Sequence, residues 1–186
     1  MKTFETVDSL RNHLSGIKKS GNSIGFVPTM GALHKGHLAL IQEAKNDNNK
    51  VVCSIFVNPK QFNNPDDLKN YPRDMTHDVK LLEHENCDIL FYPSEQEVYP
   101  DKSKNETFDF GELDQIMEGK YRPGHFQGVA TVVKRLFEIV EPHNAYFGLK
   151  DYQQLLIIHK MTRDLGLPVE IIPCPTVREE NGLAMS

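Results

Sequence analysis

Short runs of β-branched and aromatic residues alternate along this chain with longer stretches whose apolar positions recur at helical spacing. That alternation is the signature of βαβ units and a parallel sheet. Strands are predicted over 24–28, 51–57, 89–92, 145–147 and 169–172. Before and between them, Val7, Leu10, Leu14 and Ile17, then Leu38, Ile41 and Ala44, then Met75, Val79 and Leu82 each mark one face of a helix. The clearest stripe is Val129, Val132, Val133, Leu136, Ile139 and Val140, and a further helix is predicted from about 151 to 165, stopped by Gly166 and Pro168. The fold class predicted is α/β, a Rossmann-like parallel sheet with helices on both faces. Two stretches, 58–73 and 93–124, break the alternation. The second has the length of a functional lid or a small subdomain.

Composition narrows the class further. With 186 residues, 39% hydrophobic and 25% charged, the chain is an ordinary globular domain with enough length for a sizeable core. The formal charge of −5 argues against nucleic acid as a partner, because phosphate neutralisation normally needs a basic face; local basic patches stay open. No apolar run approaches the roughly 20 residues that span a bilayer, so no membrane partner is expected. Acids near the N-terminus stand where a signal peptide would need an apolar region, which predicts a cytoplasmic location. Cys53, Cys87 and Cys174 are far apart and form no C-x-x-C pair, so neither a disulfide framework nor a zinc ribbon is supported, and Cys53 reads as a buried, inert thiol.

Ligands of open parallel sheets bind outside the carboxyl ends of the strands, and the polar clusters of this sequence fall there. Gly31 and Gly36 frame a loop that opens a helix, so backbone N–H groups and the helix dipole are expected to face an anion, with phosphate the obvious guest. Lys and Ser/Thr do not follow the second glycine, so the loop is no Walker A motif. His34 and His37 are spaced to share a helix face and could donate to charge developing on phosphorus; the plainer alternatives are a metal pair or two solvated histidines. A metalloprotease helix would want H-E-x-x-H, which is absent. Lys150 suits triphosphate charge, and Gln61 and Gln154 can hold a carboxylate and hydroxyls without adding charge. Asp151 could meet a ribose hydroxyl or a cation. Plainer readings stand beside these: Lys150-Asp151 as a charge pair at a helix start, Gln153-Gln154 as surface amides, and Arg122 with His125 as an ordinary helix start rather than an anion clamp.

The run from Pro28 to His37 resembles the signature of the pantothenate synthetase (pantoate–beta-alanine ligase) family, with the H-x-G-H element of the nucleotidyltransferase superfamily. Ser54 to Phe62, Tyr71-Pro72-Arg73, Arg122 to Phe126, Phe147 to Gln154, Val177-Arg178-Glu179 and Gly182 to Ser186 resemble the same family, in its order and over essentially the whole chain. The resemblance implies a two-step ligation in which ATP and pantoate give pantoyl adenylate and pyrophosphate, and beta-alanine then gives pantothenate and AMP. By similarity, His37 is the proton donor with His34 supporting it and Lys150 beside them. Met30, Gly31, Ala32, Leu33, His34, Lys35, Gly36 and His37 hold ATP, together with Gly148, Leu149, Lys150, Asp151, Val177, Met185 and Ser186. Gln61, Gln154, Asn58 and Arg122 meet the other substrates. Mg²⁺ and a homodimer are further implications; the sequence shows no two-aspartate magnesium site, so the metal's ligands stay open. Leu149 sits where relatives often carry a charge, which leaves a backbone contact to nucleotide but no salt bridge.

The family motif continues past Met-Ser into a serine, an arginine and a second domain that closes over the site, so residues 1–186 read as the N-terminal ATP- and pantoate-binding domain without that lid. Two other functions stay open. One is adenylyl transfer to a phosphate acceptor, for which Arg or Lys would suit the positions of Gln61 and Gln154 better. The other is nucleotide binding without turnover.

Overall fold

A computed structural model describes residues 1–101 and 106–186. The chain opens with β1 (Lys2–Phe4), α1 (Val7–Lys19), β2 (Ile24–Thr29), α2 (Lys35–Asp47) and β3 (Lys50–Ile55). After a short 3-10 turn (Pro59–Gln61) come α3 (Pro65–Asn70), α4 (Met75–His84), β4 (Ile89–Phe91), α5 (Glu95–Val98), α6 (Met117–Tyr121) and α7 (His125–Val140). The remainder is β5 (Asn144–Gly148), a 3-10 turn (Leu149–Asp151), α8 (Tyr152–Asp164) and β6 (Glu170–Cys174). The five predicted strands are all present, and the sheet has a sixth, β1, which the pattern did not predict. Only Phe4 of that strand is more than superficially covered, so no apolar run announces it, yet Lys2, Thr3 and Phe4 pair in register with Ile89, Leu90 and Phe91.

All strand pairs are parallel, and the order across the sheet is β1-β4-β3-β2-β5-β6. The chain builds outward in one direction from β2 and then crosses back to lay β5 on its other side. The two directions part between β2 and β5, which is the topological switch point where such sheets bind ligands.

Successive strand residues feed opposite faces, as the two-residue period requires. Phe26, Val52, Ile89 and Phe91, Ala145 and Phe147 point into one core with α1, α7 and α8. Val27, Val51, Cys53 and Ile55, Leu90 and Tyr146 point into the other with α2 and α4. Burial on both faces explains why these strands read as continuous apolar runs rather than alternating ones. All three cysteines are free and buried, as expected for Cys53. Among the described residues no helix is long and apolar enough to cross a membrane.

The stretch 93–124 is not a separate subdomain. Val98, Tyr99 and Phe110 lie inside the larger core, and Gln127 of α7 clasps Phe108 through both its backbone groups, at 2.9 Å and 2.8 Å. The part of the lid expectation that falls on 102–105 lies outside the described residues.

Candidate active site

At the β2/β5 switch point opens a crevice of about 580 Å³. One wall comes from the end of β2 and the start of α2, with Met30, Gly31, Ala32, His34 and His37. Opposite stand Gly148, Lys150 and Asp151 after β5 and Gln154 on α8, while Gln61, Arg122 and His125 close one end. Its floor is apolar, with Phe56, Val129, Val132, Val133 and Leu136. The α7 residues of that floor were legible in the sequence as a core stripe and not as part of a site.

The loop before α2 is built differently from the expected phosphate cradle. The N–H of Gly31 donates to Thr29 Oγ1 at 3.2 Å, and those of Ala32 and Leu33 donate to the two carboxylate oxygens of Asp78 at 2.9 Å and 2.7 Å. Gly36 N–H donates to His34 Nδ1 at 3.1 Å, His34 N–H to His37 Nδ1 at 3.4 Å, and the N–H groups of His37 and Leu38 to His34 O. These amides are engaged within the protein, so an anion here meets side chains rather than a ring of backbone donors. Gly36 is required by the cap itself, since a Cβ there would sit 2.8 Å from His34 Cε1.

That cap fixes the chemistry of both imidazoles. Each Nδ1 accepts a backbone N–H, so each neutral ring carries its hydrogen on Nε2. The rings lie 4.1 Å apart between centroids. Burial first, then the His34 ring and the Lys150 ammonium, push the His37 imidazole down to about 4. Burial and Lys150 also lower His34, with Glu179 opposing. Both rings are therefore neutral at pH 7 in the ligand-free chain and carry an N–H on Nε2. His125 has the opposite tautomer, because its Nδ1 lies 2.8 Å from the carbonyl of Gln61 and must donate.

Gln61 is aimed by a residue that does not reach the crevice. Asn58, expected among the substrate-binding residues, is 1% exposed. Its Oδ1 accepts from Tyr99 Oη–H at 2.9 Å and Lys60 N–H at 3.2 Å, and its Nδ2 donates to Gly128 O and to Gln61 Oε1, both at 3.1 Å. With Oε1 occupied, Gln61 turns its Nε2 toward Met30, whose Sδ is 3.0 Å away, and into the crevice. Gln153 and Gln154 part company: Gln154 faces the crevice, whereas Gln153 is buried and bonds Leu113 O, Ile116 O and Glu118 N–H. Neither is a simple surface amide. Arg122 faces the crevice while paired with Glu118.

The remaining expected nucleotide residues are spread around this frame. Lys35 and Leu149 are exposed outside the crevice wall, and Leu33 is core. Val177 holds the final segment through its carbonyl, which accepts from Met185 N–H at 3.0 Å, and that contact brings Ser186 to the crevice rim. Lys150 and Asp151 are paired at 3.2 Å, with both facing the crevice. Asp78 went unread in the sequence because it sits within an apolar helical stripe and carries no motif.

Comparison with known proteins decides the family. The family model described as pantoate-beta-alanine ligase matches residues 2–186. This chain belongs to the pantoate-beta-alanine ligase family. It is similar to the pantothenate synthetase of Cytophaga hutchinsonii, 53% identical over 186 residues, covering 100% of this chain and 65% of that protein. The crystal structure of pantothenate synthetase from Thermus thermophilus superimposes with a TM-score of 0.93 at 52% identity, over 100% of this chain and 66% of that one. A pantoate-beta-alanine ligase structure from Francisella tularensis gives a TM-score of 0.96 at 44% identity, over 100% and 71%. The chain thus spans about 65% of the length of the curated family members it matches.

Proposed function

We propose that this chain supplies the ATP- and pantoate-binding half of a pantoate–beta-alanine ligase, whose full reaction makes pantothenate through pantoyl adenylate. The observation that carries the proposal is the convergence in one crevice of three side-chain donors, His34, His37 and Lys150, with two neutral amides, Gln61 and Gln154. Family membership supports it, as does the Francisella tularensis ligase, which was crystallised with beta-gamma ATP and beta-alanine.

The chemistry follows from charge. In the first step a carboxylate oxygen of pantoate attacks the α-phosphorus of ATP, the bond to the bridging oxygen breaks, and pyrophosphate leaves. An attacking carboxylate must stay ionised and free to move, and the Gln61 Nε2–H donors hold it without a cation that would quench it. Negative charge grows on the phosphate oxygens during that step, where two preoriented Nε2–H donors and the Lys150 ammonium are stabilising. In the second step the free amine of beta-alanine attacks the acyl carbonyl and AMP departs. Mg²⁺ would offset phosphate charge on the triphosphate, and Asp151, one of the carboxylates lining the crevice, could hold it. The lid domain and the homodimer belong to the same proposal and rest on the family resemblance.

The test is pantoate-dependent pyrophosphate release by the chain carrying its second domain. His37→Ala should lower its rate by about 10² to 10³, the usual cost of removing one preorganised donor. An unchanged rate would refute the role of His37. Pyrophosphate release with a phosphate-bearing acceptor and none with pantoate would replace the ligase reading with adenylyl transfer, which Gln61 and Gln154 disfavour.

A further inference from the structure

We propose that Asp78 is a positioning residue for the two histidines, and that its carboxylate occupies a backbone anion nest to set their aim; the proposal rests on the ligase reading above. Gly31 and Ala32 are both left-handed, with φ of 83° and 51°. Past this turn the successive N–H groups of Ala32 and Leu33 point to one side, and successive amides held so in a turn form a concavity that binds anions. In this chain the anion is the protein's own. Asp78 is 1% exposed, and its two oxygens receive Ala32 N–H at 2.9 Å and Leu33 N–H at 2.7 Å.

Three observations separate this from an incidental contact. Asp78 occupies an inward position of α4, beside Leu82, where carboxylates are rarely found unless paired, and the helix already has its own cap in Asp74. Gly31 makes room for it, because a Cβ there would lie 3.0 Å from Asp78 Oδ2 and 3.0 Å from Ile55 Cγ2. Ala32 keeps a backbone conformation that disfavours side chains, and such a conformation persists only when the surroundings enforce it. The amide fixed at 2.7 Å belongs to Leu33, the residue immediately before His34, whose ring caps α2 and whose N–H holds the His37 ring. Releasing the carboxylate frees the loop from α4 and lets the first turn of α2, with both imidazoles, shift relative to Lys150.

The experiment compares the wild-type chain with Asp78→Asn, which keeps the shape but sets an NH₂ group against one of the two backbone donors. In ¹⁵N–¹H spectra of the histidine rings, wild type should show His34 and His37 as single Nε2–H tautomers, and Asp78→Asn should show averaged tautomers for both. In the pyrophosphate assay, kcat per folded molecule should fall about 10²-fold, the scale expected for an ångström-sized misplacement. KM for pantoate should stay within about threefold, because Gln61 and Gln154 stand on other elements. A role confined to stability would lower the melting temperature and leave the ring signals and kcat unchanged; that result overturns the proposal. Should Asp78→Asn not fold, Asp78→Glu, which retains the charge one methylene away, serves instead, and wild-type ring signals and kcat in that variant overturn the proposal equally. If the chain joined to the second domain of its family releases no pyrophosphate with pantoate, the ligase reading fails, and the ring spectra still decide the role of Asp78.

Discussion

His37 should make this protein acid-sensitive in a way that one substitution removes. Its imidazole titrates near 6.5 when solvated and at about 4 in the folded chain, with burial as the main cause. A base whose folded pKa is depressed favours the unfolded state wherever that state takes up the proton and the native state does not. Its effect on stability is therefore absent well above pH 6.5 and grows as the pH falls from 6.5 toward 4. At about 1.4 kcal/mol per pH unit, the loss between pH 7 and pH 5 is about 2 kcal/mol for this one ring. The measurement is urea unfolding at pH 7 and pH 5, followed by far-ultraviolet circular dichroism, on wild type and on His37→Gln. Carboxylates and the other histidines contribute to both proteins, so the comparison is between the two pH differences. Wild type should lose about 2 kcal/mol more than the variant across that interval. If the two pH differences agree within about 0.5 kcal/mol, the ring is solvated or paired in the native state, and the neutral Nε2–H donor assigned to it is wrong.

Gly128→Ala should cost about 1–3 kcal/mol in urea unfolding, because the new Cβ would meet Lys60 O at 2.2 Å and Gln61 Cα at 2.9 Å, both on backbone that cannot swing aside. The same displacement of Gln61 should raise KM for pantoate, and an unchanged KM would show that the turn is free to move. Asn58→Asp replaces the donor that serves Gly128 O and Gln61 Oε1 with a second acceptor, so it should destabilise the fold by about 2–3 kcal/mol and raise KM for pantoate at least tenfold, measured in the pyrophosphate assay at pH 7.

How far the sequence reached can be seen element by element. Strands buried on both faces announce themselves as apolar runs, so β2 to β5 were legible; the edge strand β6 is exposed at Glu170 and Pro173 and was legible from its isoleucine pair, whereas β1 has two exposed residues of three and owes its existence to the open edge of β4. The crevice motifs were legible because glycines, histidines and a lysine gather at the strand ends, where open parallel sheets bind ligands. What escaped was the order behind the crevice wall. Asn58 looks like a crevice amide until its four bonds inside the protein are known, Asp78 is hidden among apolar neighbours, and the backbone donors of the 31–38 loop look available until their partners are placed. A spacing rule reports which residues share a face; it carries no information on which hydrogen-bonding valences the fold has already used.

That distinction changes how the site is understood to work. A loop with free backbone donors would bind any phosphate about equally in ground and transition states, which lowers KM and leaves kcat alone. Here those donors are spent inside the protein, on Asp78 and on the two imidazoles. The groups left facing the crevice include the neutral His34 and His37 rings, each held from behind by a backbone N–H on its Nδ1, together with Lys150, Arg122 and the amides of Gln61 and Gln154. Preorganised donors of this kind gain most where charge accumulates during reaction, because their alignment carries no reorganisation cost at that moment. On the proposed ligase reading, internal use of the loop's amides is thus the structural condition that would let the histidines act on the transition state rather than on the nucleotide at rest.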